Sequence, residues 1–317
     1  MKTKNFLAMN TYMSITVYDE VSNELLDNLQ NKVDKLEALW SVTRKNSEIY
    51  AINHIQERGI VVSEETAEII QFSLEMDRQT DGALDITLYP VLKEWGFTTK
   101  SHRIPSEKKV AEKMQCTGIE KICVKKNKVF TQPNVQIDLG AVAKGYACDL
   151  VLEDMRKRGI TSAIINLGGN IGTLGVKPDG NKFKIAVQHP KNGEVLGILY
   201  LTDMCVAVSD ISERYFVGED GKKYGHILNP ITGKPMDSDL LSVTVINEEG
   251  KICDALSTAL FVKGLKGTVK YYKEHEKTEF LVMTENEEIY LTSGVEKCFA
   301  VSEKYKEIPI HIISKQE

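Results

Sequence analysis

The order of strand and helix patterns restricts the fold of this chain more than any other feature of its sequence. An alternating apolar pattern over 12–18 predicts a strand, and apolar positions with helical spacing over 21–40 predict a helix. Ser63 is the expected N-cap of a second helix, and a short helix is predicted near 267–275. Further strand patterns then occur in succession, over 162–167, 183–188, 195–201 and 204–209, instead of alternating with helices as in a βαβ series. The sequence therefore predicts an α+β fold with mixed or antiparallel sheets and flanking helices.

Length and composition agree with a large globular core. The chain has 317 residues, of which 42% are hydrophobic, and this is enough for one large domain or two ordinary ones. The sequence contains no internal repeat, low-complexity tract or flexible linker. We therefore expect residues 1–317 to form a single domain, and any subdomains within it to pack intimately.

Charge and hydropathy argue against several functions. A formal net charge of -5 gives no basic surface for a nucleic-acid backbone or an anionic membrane. No stretch approaches the ~18 apolar residues of a membrane span, and the apolar run at 6–9 is too short for an export signal. The six cysteines lack the spacing of a zinc site or a disulfide scaffold. We expect a cytoplasmic protein; the alternative is an exported or membrane-anchored protein from which a signal segment was removed.

The segment 253–259, CDALSTA, places a carboxylate and a hydroxyl four residues apart in an otherwise apolar stretch. On a helix, Asp254 and Thr258 would lie on one face. Two oxygen ligands in a dry environment suit a hard cation such as Mg²⁺. The alternative is that Asp254 is only a helix N-cap and Thr258 a core hydroxyl that bonds back to a carbonyl. This segment alone does not decide between the two interpretations.

A strand pattern over 135–138 is followed by a helix pattern that Gly159 should end. A second candidate site, IDLGAVAKGYACDLV at 137–151, lies at their junction. The exposed N–H groups of such a junction bind phosphates well. Lys144 in the first helical turn opposes the helix dipole, so an anionic ligand would explain its position. The glycine spacing matches neither a Walker loop nor a dinucleotide-binding loop, so the glycines alone are a weak signal. Gly-Gly-Asn at 168–170 could also let a ligand approach the backbone, but a plain tight turn explains it as well.

Two further segments are rich in turn residues. The segment 224–236, YGHILNPITGKPM, carries His226, which could act as a general acid, a general base or a ligand orienter. A hydrogen-bonded structural histidine is the alternative. The segment 80–97, TDGALDITLYPVLKEWGF, predicts an ordered loop or a broken helix in which Trp95 anchors a core.

Taken together, these segments resemble the ApbE family of flavin transferases, from residue 9 to about residue 264. Four motifs carry the resemblance and occur in the family's order: GALDITLYPVLKEWGF, IDLGAVAKGYA, GHILNPITGKP and DALSTALFVKG. A single motif could arise by chance, whereas four in order over some 180 residues are highly specific. Asn10 departs from the pattern, because many members have glycine at this position.

The resemblance implies roles for individual residues. The Mg²⁺ ligands would be the Asp254 carboxylate, the Thr258 hydroxyl and the backbone carbonyl of Ala141. His226 matches the family histidine that has an acid–base role. The positions that would line the FAD pocket are Met9, Ala83, Leu84, Asp85, Asp138, Lys144 and Ile227.

The resemblance also implies a reaction and a location for it. The enzyme would use Mg²⁺ to transfer FMN from FAD to a threonine or serine hydroxyl of an acceptor protein, forming a phosphoester and releasing AMP. FAD would lie in a cleft between two intimate subdomains. A Mg²⁺-dependent FAD pyrophosphatase that gives FMN and AMP is the nearest alternative. A non-catalytic flavin-binding module is a more distant one.

Overall fold

A computed structural model describes residues 1–55, 59–99, 101–211, 214–275 and 277–315. Its helices are α1 (Asn23–Trp40), α2 (Glu48–His54), α3 (Glu64–Gln79), α4 (Tyr89–Trp95), α5 (Glu107–Met114), α6 (Ala143–Lys157), α7 (Gly250–Glu274) and α8 (Ser293–Glu296). Its strands are β1 (Lys2–Ala8), β2 (Thr11–Val17), β3 (Ile60–Val61), β4 (Ile122–Lys125), β5 (Lys128–Thr131), β6 (Ala163–Leu167), β7 (Asn170–Leu174), β8 (Phe183–Gln188), β9 (Val195–Leu201), β10 (Cys205–Asp210), β11 (Tyr215–Val217), β12 (Lys223–Gly225), β13 (Leu240–Asn247), β14 (Glu279–Thr284), β15 (Ile289–Thr292), β16 (Phe299–Val301) and β17 (Ile310–Ile313). Within these described ranges, no helix has both the length and the apolar character needed to cross a membrane.

The chain divides into two compact units. The first unit comprises Met1–Lys35, Lys144–Ile211 and Ser238–Glu317, and the second comprises Leu36–Ala143 and Ser212–Asp237. Each unit is therefore assembled from segments that are distant in sequence. The expectation that residues 1–317 form a single domain stays a prediction.

A nine-stranded sheet dominates the first unit, with the order β1-β2-β6-β7-β10-β13-β14-β15-β17. All neighbouring strands are antiparallel except β15 and β17, which are parallel. The first unit also contains the three-stranded sheet β16-β9-β8, and the second unit contains the sheets β3-β5-β4 and β11-β12. The prediction of an α+β fold with mixed or antiparallel sheets and flanking helices is confirmed.

Strand β13 lies at the centre of the first unit, because all eight of its residues are buried. Helix α7 packs on β10 and β13. Side chains of β8 and β9 join Leu241 and Ile246 of β13 in one apolar cluster. Both faces of this strand are covered, because its polar residues Ser242, Thr244 and Asn247 are buried along with its apolar ones. The packing of α7 on this strand fixes the helix that carries Asp254 and Thr258.

Helix α7 contains the two helical segments that the sequence predicts separately, around 253–259 and 267–275. Gly264 separates them, because its φ of 68° and ψ of -178° are not helical. Glycine adopts this positive φ without the steric penalty that other residues meet. The first of the two segments is the one that carries the candidate ligands.

In the second unit, the segment 80–97 forms a broken helix around a buried tryptophan, as predicted. A 3₁₀ turn, Ile86–Leu88, leads directly into α4. Trp95 is 4% exposed, packs with Val91 and Leu228, and donates its indole N–H to the Gly233 carbonyl at 2.8 Å. The interpretation of Trp95 as a core anchor is confirmed.

The strand predicted over 135–138 is wrong. The Asn53 side chain takes the place of a partner strand: its Nδ2 donates to the Ile137 carbonyl at 2.9 Å, and its Oδ1 accepts the Ile137 N–H at 2.7 Å. The N–H of Asp138 donates to the carbonyl of Ile86 at 2.8 Å. An apolar run can thus be buried and hydrogen-bonded without joining a sheet.

Candidate functional site

Helices α6 and α7 cross near their first turns through two copies of one local sequence. Each contains Gly-x-x-Cys-Asp, at 145–149 in α6 and at 250–254 in α7. A Cβ on Gly145 would lie 2.6 Å from the Cβ of Asp254, and a Cβ on Gly250 would lie 2.8 Å from the Gly145 carbonyl oxygen. Side chains larger than hydrogen do not fit at such distances. Gly145 therefore serves the close approach of two helices.

Each of these helices also supplies a carboxylate to the start of the other. Asp149 of α6 accepts the N–H groups of Gly250 at 2.5 Å and Lys251 at 2.9 Å. Asp254 Oδ2 accepts the N–H of Gly145 at 2.9 Å. First-turn N–H groups have no partner within their own helix and favour negative charge, so both contacts stabilise the crossing. Burial raises the pKa of Asp149 to about 6, although the two N–H donors act to lower it.

The position of Asp254 rules out the alternative that it is the N-cap of its own helix. Glu249 occupies the N-cap position of α7, and Asp254 lies within the helix. Its side chain instead meets the beginning of α6. Asp254 therefore does accept an N–H at the start of a helix, but that helix is α6 and not its own.

Donors surround both oxygens of the Asp254 carboxylate, which is 5% exposed. Oδ2 takes the Gly145 N–H, while Oδ1 accepts from Nδ2 of Asn170 at 3.1 Å. The ammonium nitrogen of Lys144 lies 3.6 Å from Oδ1. A buried carboxylate needs such compensation, and these contacts hold its plane in one orientation.

Thr258 lies one helical turn after Asp254 and on the same face, as the spacing predicts. Its Oγ1 is 3.3 Å from Ser209 Oγ on β10, and Ser209 Oγ is 2.9 Å from Ser257 Oγ. The bond back to a helix carbonyl that was the alternative for Thr258 is made by its neighbour, because Ser257 Oγ donates to the Asp254 carbonyl at 3.0 Å. Thr258 is half-buried and stands beside β10.

The oxygen groups at this corner of the first unit fit a hard divalent cation. They are the Asp254 carboxylate and the Thr258 hydroxyl, with the side-chain amide of Asn170 beside the carboxylate, and hard cations prefer oxygen donors. Asn170 Oδ1 is buried and has no hydrogen-bond partner among the described residues. No group of three His, Cys, Asp or Glu side chains suited to a metal occurs in the part of the chain that the structure describes. A cation here would therefore depend on neutral oxygen donors as well as on Asp254.

Met9 lies in the two-residue turn between β1 and β2. Met9 and Asn10 have φ values of 48° and 61°, as in the hairpin turns that favour asparagine or glycine. This geometry explains how Asn10 replaces the glycine of many family members. Thr11 adjoins the β6–β7 turn, since a Cβ on Gly168 would lie 2.8 Å from Thr11 Oγ1. Both turns therefore lie at the sheet end where β7 begins.

In the second unit, the segment 83–85 precedes the 3₁₀ turn Ile86–Leu88, and the Asp85 carboxylate caps that turn. Asp85 Oδ1 accepts the Thr87 N–H at 2.7 Å and the Thr87 hydroxyl at 2.5 Å. Ala83 and Leu84 are 8% and 2% exposed. Their side chains thus belong to the core, and a ligand would meet this segment mainly through its backbone.

Asp77 and Asp85 form a pair of buried acidic groups in the second unit. Burial raises the pKa of Asp77 to about 7, with a further contribution from the charge of Asp85. Burial also raises the pKa of Asp85, against the lowering effect of its bonds from Thr87. Like charges in a poorly solvated place disfavour simultaneous ionisation.

Asp138 and Ala141 lie in the segment that precedes α6. The backbone bond from Asp138 to Ile86 joins this segment to the end of 83–85. Asp138 Oδ1 accepts the N–H of Gly140 at 2.7 Å. Ala141, whose carbonyl is the expected third metal ligand, is half-buried in the turn that follows.

His226 is half-buried and begins a loop that closes on itself. Its ring Nδ1 lies 3.2 Å from the Arg214 carbonyl oxygen, which also accepts the His226 backbone N–H at 3.0 Å. A carbonyl oxygen only accepts, so this contact places the proton of the neutral ring on Nδ1 and the lone pair on Nε2. The Ile227 carbonyl accepts the Met236 N–H at 2.8 Å. The loop thereby holds His226 at a defined position.

The structure brings together only some of the residues that the sequence singles out. Lys144, Asp254 and Thr258 form one cluster in the first unit. Asp138 adjoins the segment 83–85 in the second unit, where His226 and Ile227 share a separate loop. Sequence reasoning missed Asn170 as a site residue. Its Gly-Gly-Asn turn was a visible signal, but the contact with Asp254 depends on the order of strands in the sheet.

Known proteins match this chain over most of its length. The model of the ApbE family matches residues 9–282. A FAD:protein FMN transferase from Klebsiella pneumoniae (strain 342) is 32% identical over 265 residues, which cover 82% of each protein. The crystal structure of the ApbE protein from Thermotoga maritima has a TM-score of 0.84 at 28% identity, covering 96% of this chain and 98% of that one. A mutant of the flavin transferase ApbE from Vibrio cholerae has a TM-score of 0.83 at 26% identity, with coverage of 94% and 100%. Because the family model spans most of the sequence and both structures share its fold, this chain belongs to the ApbE family.

Proposed function

We propose that this chain transfers FMN from FAD to a threonine or serine hydroxyl of an acceptor protein, forming a phosphoester and releasing AMP. The cluster of Lys144, Asp254 and Thr258 in a member of the ApbE family carries this proposal. Relatives that bear the name FAD:protein FMN transferase support it. The chain is thus an enzyme whose substrates are FAD and a protein.

The Asp254 carboxylate, the Thr258 hydroxyl and the Ala141 carbonyl would hold Mg²⁺. When bound, Mg²⁺ supplies positive charge to the pyrophosphate oxygens of FAD and keeps coordination positions open for them. Asp254 is already held by Gly145 and Asn170, so its orientation needs no rearrangement when the ion arrives. The Lys144 ammonium group would bind the same anionic part of the substrate. That role explains a cation at the positive end of a helix dipole.

The FAD-lining positions would be Met9, Ala83, Leu84, Asp85, Asp138, Lys144 and Ile227. The hairpin turn at Met9 presents a flexible apolar side chain, which suits contact with a flavin ring. The buried segment 83–85 would present backbone groups. Asp85 and Asp138 each accept a neighbouring N–H, and these bonds hold the two carboxylates in defined orientations toward the ligand.

His226 would move the proton of the reaction. With its proton on Nδ1, the ring offers the Nε2 lone pair as a base for the acceptor hydroxyl. Removing that proton as the oxygen attacks the FMN phosphorus makes the oxygen a better nucleophile. The closed loop around Ile227 and Met236 keeps the ring in place for this step.

One experiment tests the reaction against its alternatives. The protein is incubated with FAD, Mg²⁺ and a candidate acceptor, and AMP release and acceptor mass are followed together. We expect AMP and an acceptor that gains the mass of FMN. AMP with an unchanged acceptor would instead support the pyrophosphatase, and FAD binding without AMP would support a non-catalytic flavin-binding module.

Two variants test the assigned residues in the same assay. Asp254→Asn should lower AMP release by about 100-fold or more, because it removes the charged ligand. Asp154→Asn is the control, since it removes a carboxylate of α6 that pairs with Arg158, away from the crossing, and should keep AMP release. His226→Ala should abolish transfer, while the fluorescence of FAD should still be quenched when it binds. Wild-type turnover in either site variant would remove that residue from the mechanism.

A further inference from the structure

Asn170 is a buried polar residue whose position is set by a hairpin. It begins β7 directly after Gly168 and Gly169, whose φ values are 66° and 91°. The Gly169 N–H donates to Asn166 Oδ1 at 2.9 Å, which stabilises the turn. Asn170 itself is 4% exposed. The turn therefore delivers an amide side chain to the interior, beside α7.

The two polar atoms of this amide have different surroundings. Nδ2 donates to Asp254 Oδ1 at 3.1 Å, and this contact fixes which end of the amide is the nitrogen, since a carboxylate only accepts. Oδ1 then faces no hydrogen-bond donor among the described residues, although it is buried. A buried acceptor without a donor is unfavourable in a resting protein and needs an explanation.

The counterpart carboxylate shows what Asp254 would look like in a purely structural role. Asp149 occupies the same place in the other Gly-x-x-Cys-Asp copy, and its two oxygens accept backbone N–H groups. Asp254 makes one such bond, and its second oxygen faces the Asn170 amide and Lys144. The contact with Asn170 thus distinguishes Asp254, the candidate metal ligand, from Asp149, which has a structural role.

We propose that Asn170 is a positioning residue of the divalent-cation site, which orients Asp254 through Nδ2 and accepts a hydrogen bond from cation-bound water at Oδ1. The inference rests on the proposed function, because it concerns the metal site assigned there. Side chains that orient a metal ligand affect affinity without coordinating the ion themselves. An amide suits this task because it donates to the carboxylate and accepts from water at the same time.

The test is a titration with Mn²⁺, in which free Mn²⁺ is counted by electron paramagnetic resonance and Mg²⁺ competes for the site. It is run on the whole protein with and without FAD. In Asn170→Ala the Kd for Mn²⁺ should rise about 10- to 100-fold. The melting temperature without metal should change by less than about 4 °C, because the substitution removes an unmet acceptor together with one hydrogen bond.

Asn192→Ala is the matched control, since it removes an amide from another turn of the first unit, where that amide bonds to Glu194 and Tyr305. It should keep the Kd for Mn²⁺ within about twofold of wild type. Asn170→Asp keeps the shape and places two carboxylates together, so its melting temperature should fall without metal and recover with Mg²⁺. This variant tests the position even if Asn170→Ala folds poorly.

The outcomes separate this inference from the proposed function. Unchanged Mn²⁺ affinity in Asn170→Ala, an equal loss in Asn192→Ala, or no recovery of Asn170→Asp by Mg²⁺ would overturn the role of Asn170. Absence of Mn²⁺ binding in the wild type would overturn both the metal assignment and the inference. Metal binding that depends on Asn170, without any FMN transfer, would refute the transferase proposal alone.

Discussion

Gly145→Ala tests whether the helix crossing positions the candidate metal carboxylate. At an open helical position, this substitution stabilises a protein by about 0.5–1 kcal/mol. Here the new Cβ would lie 2.6 Å from the Asp254 Cβ, and the Gly250 carbonyl oxygen would be closer still. Overpacking costs about 1–3 kcal/mol, and a backbone carbonyl cannot rotate away as a side chain can. We expect a net loss of about 2 kcal/mol, or about 4–8 °C in melting temperature.

The same substitution should also displace Asp254, because the helices must separate to admit the methyl group. AMP release from FAD, measured at a temperature where the variant is folded, should fall at least about 10-fold. Gly159→Ala is the control: its φ is 76° and a Cβ would meet nothing within 4 Å. It should lose about 1 kcal/mol from the left-handed conformation alone and keep its AMP release. Wild-type stability and activity in Gly145→Ala would refute the view that the glycine is needed for the crossing.

Two further predictions concern the second unit. Asp77→Asn removes a buried carboxyl group. Burial and the charge of Asp85 raise the pKa of this group to about 7. A folded pKa above the ordinary value of 3.8 means that the group stabilises the protein fully below about pH 4 and loses this effect as the pH rises through 7. The variant should therefore gain up to about 4 kcal/mol at pH 8 over wild type in urea unfolding, whereas the exposed control Glu75→Gln should not. Asn53→Ala removes both bonds to Ile137 and should cost about 2–4 kcal/mol. Tryptophan fluorescence reports on this unit, because both tryptophans of the chain lie in it. An unchanged unfolding midpoint would contradict a stabilising role for the bonds between Asn53 and Ile137.

Long helices with a regular apolar pattern could be predicted from the sequence. The prediction failed where a side chain distant in sequence replaced a partner strand. Ser63 caps α3 as expected, with its Oγ accepting the Thr66 N–H at 3.3 Å. Gly159, with φ of 76°, follows the end of α6 as expected. The strand predicted over 135–138 does not form, because Asn53 binds Ile137 in place of a partner strand. No local pattern indicates that an asparagine more than 80 residues away supplies these bonds.

The candidate site was predictable to the extent that its geometry is local. Asp254 and Thr258 share a face because they are four residues apart on a helix, and that spacing can be read directly. Asn170 reaches Asp254 only because β7, β10 and α7 pack together, which depends on strand order. The same reason explains why Asp254 satisfies the first turn of α6 instead of its own helix.

The paired capping of α6 and α7 turns backbone amides into reporters of the site. The N–H groups of Gly145, Gly250 and Lys251 each bond to a carboxylate of the opposite helix. Such protons exchange with solvent when the helices open locally, and the rate measures the free energy of that opening. A cation bound at Asp254 should slow exchange at Gly145 directly and at Gly250 and Lys251 through the shared crossing. Occupancy of the site could thus be followed by hydrogen exchange at three backbone amides that are not themselves ligands of the cation.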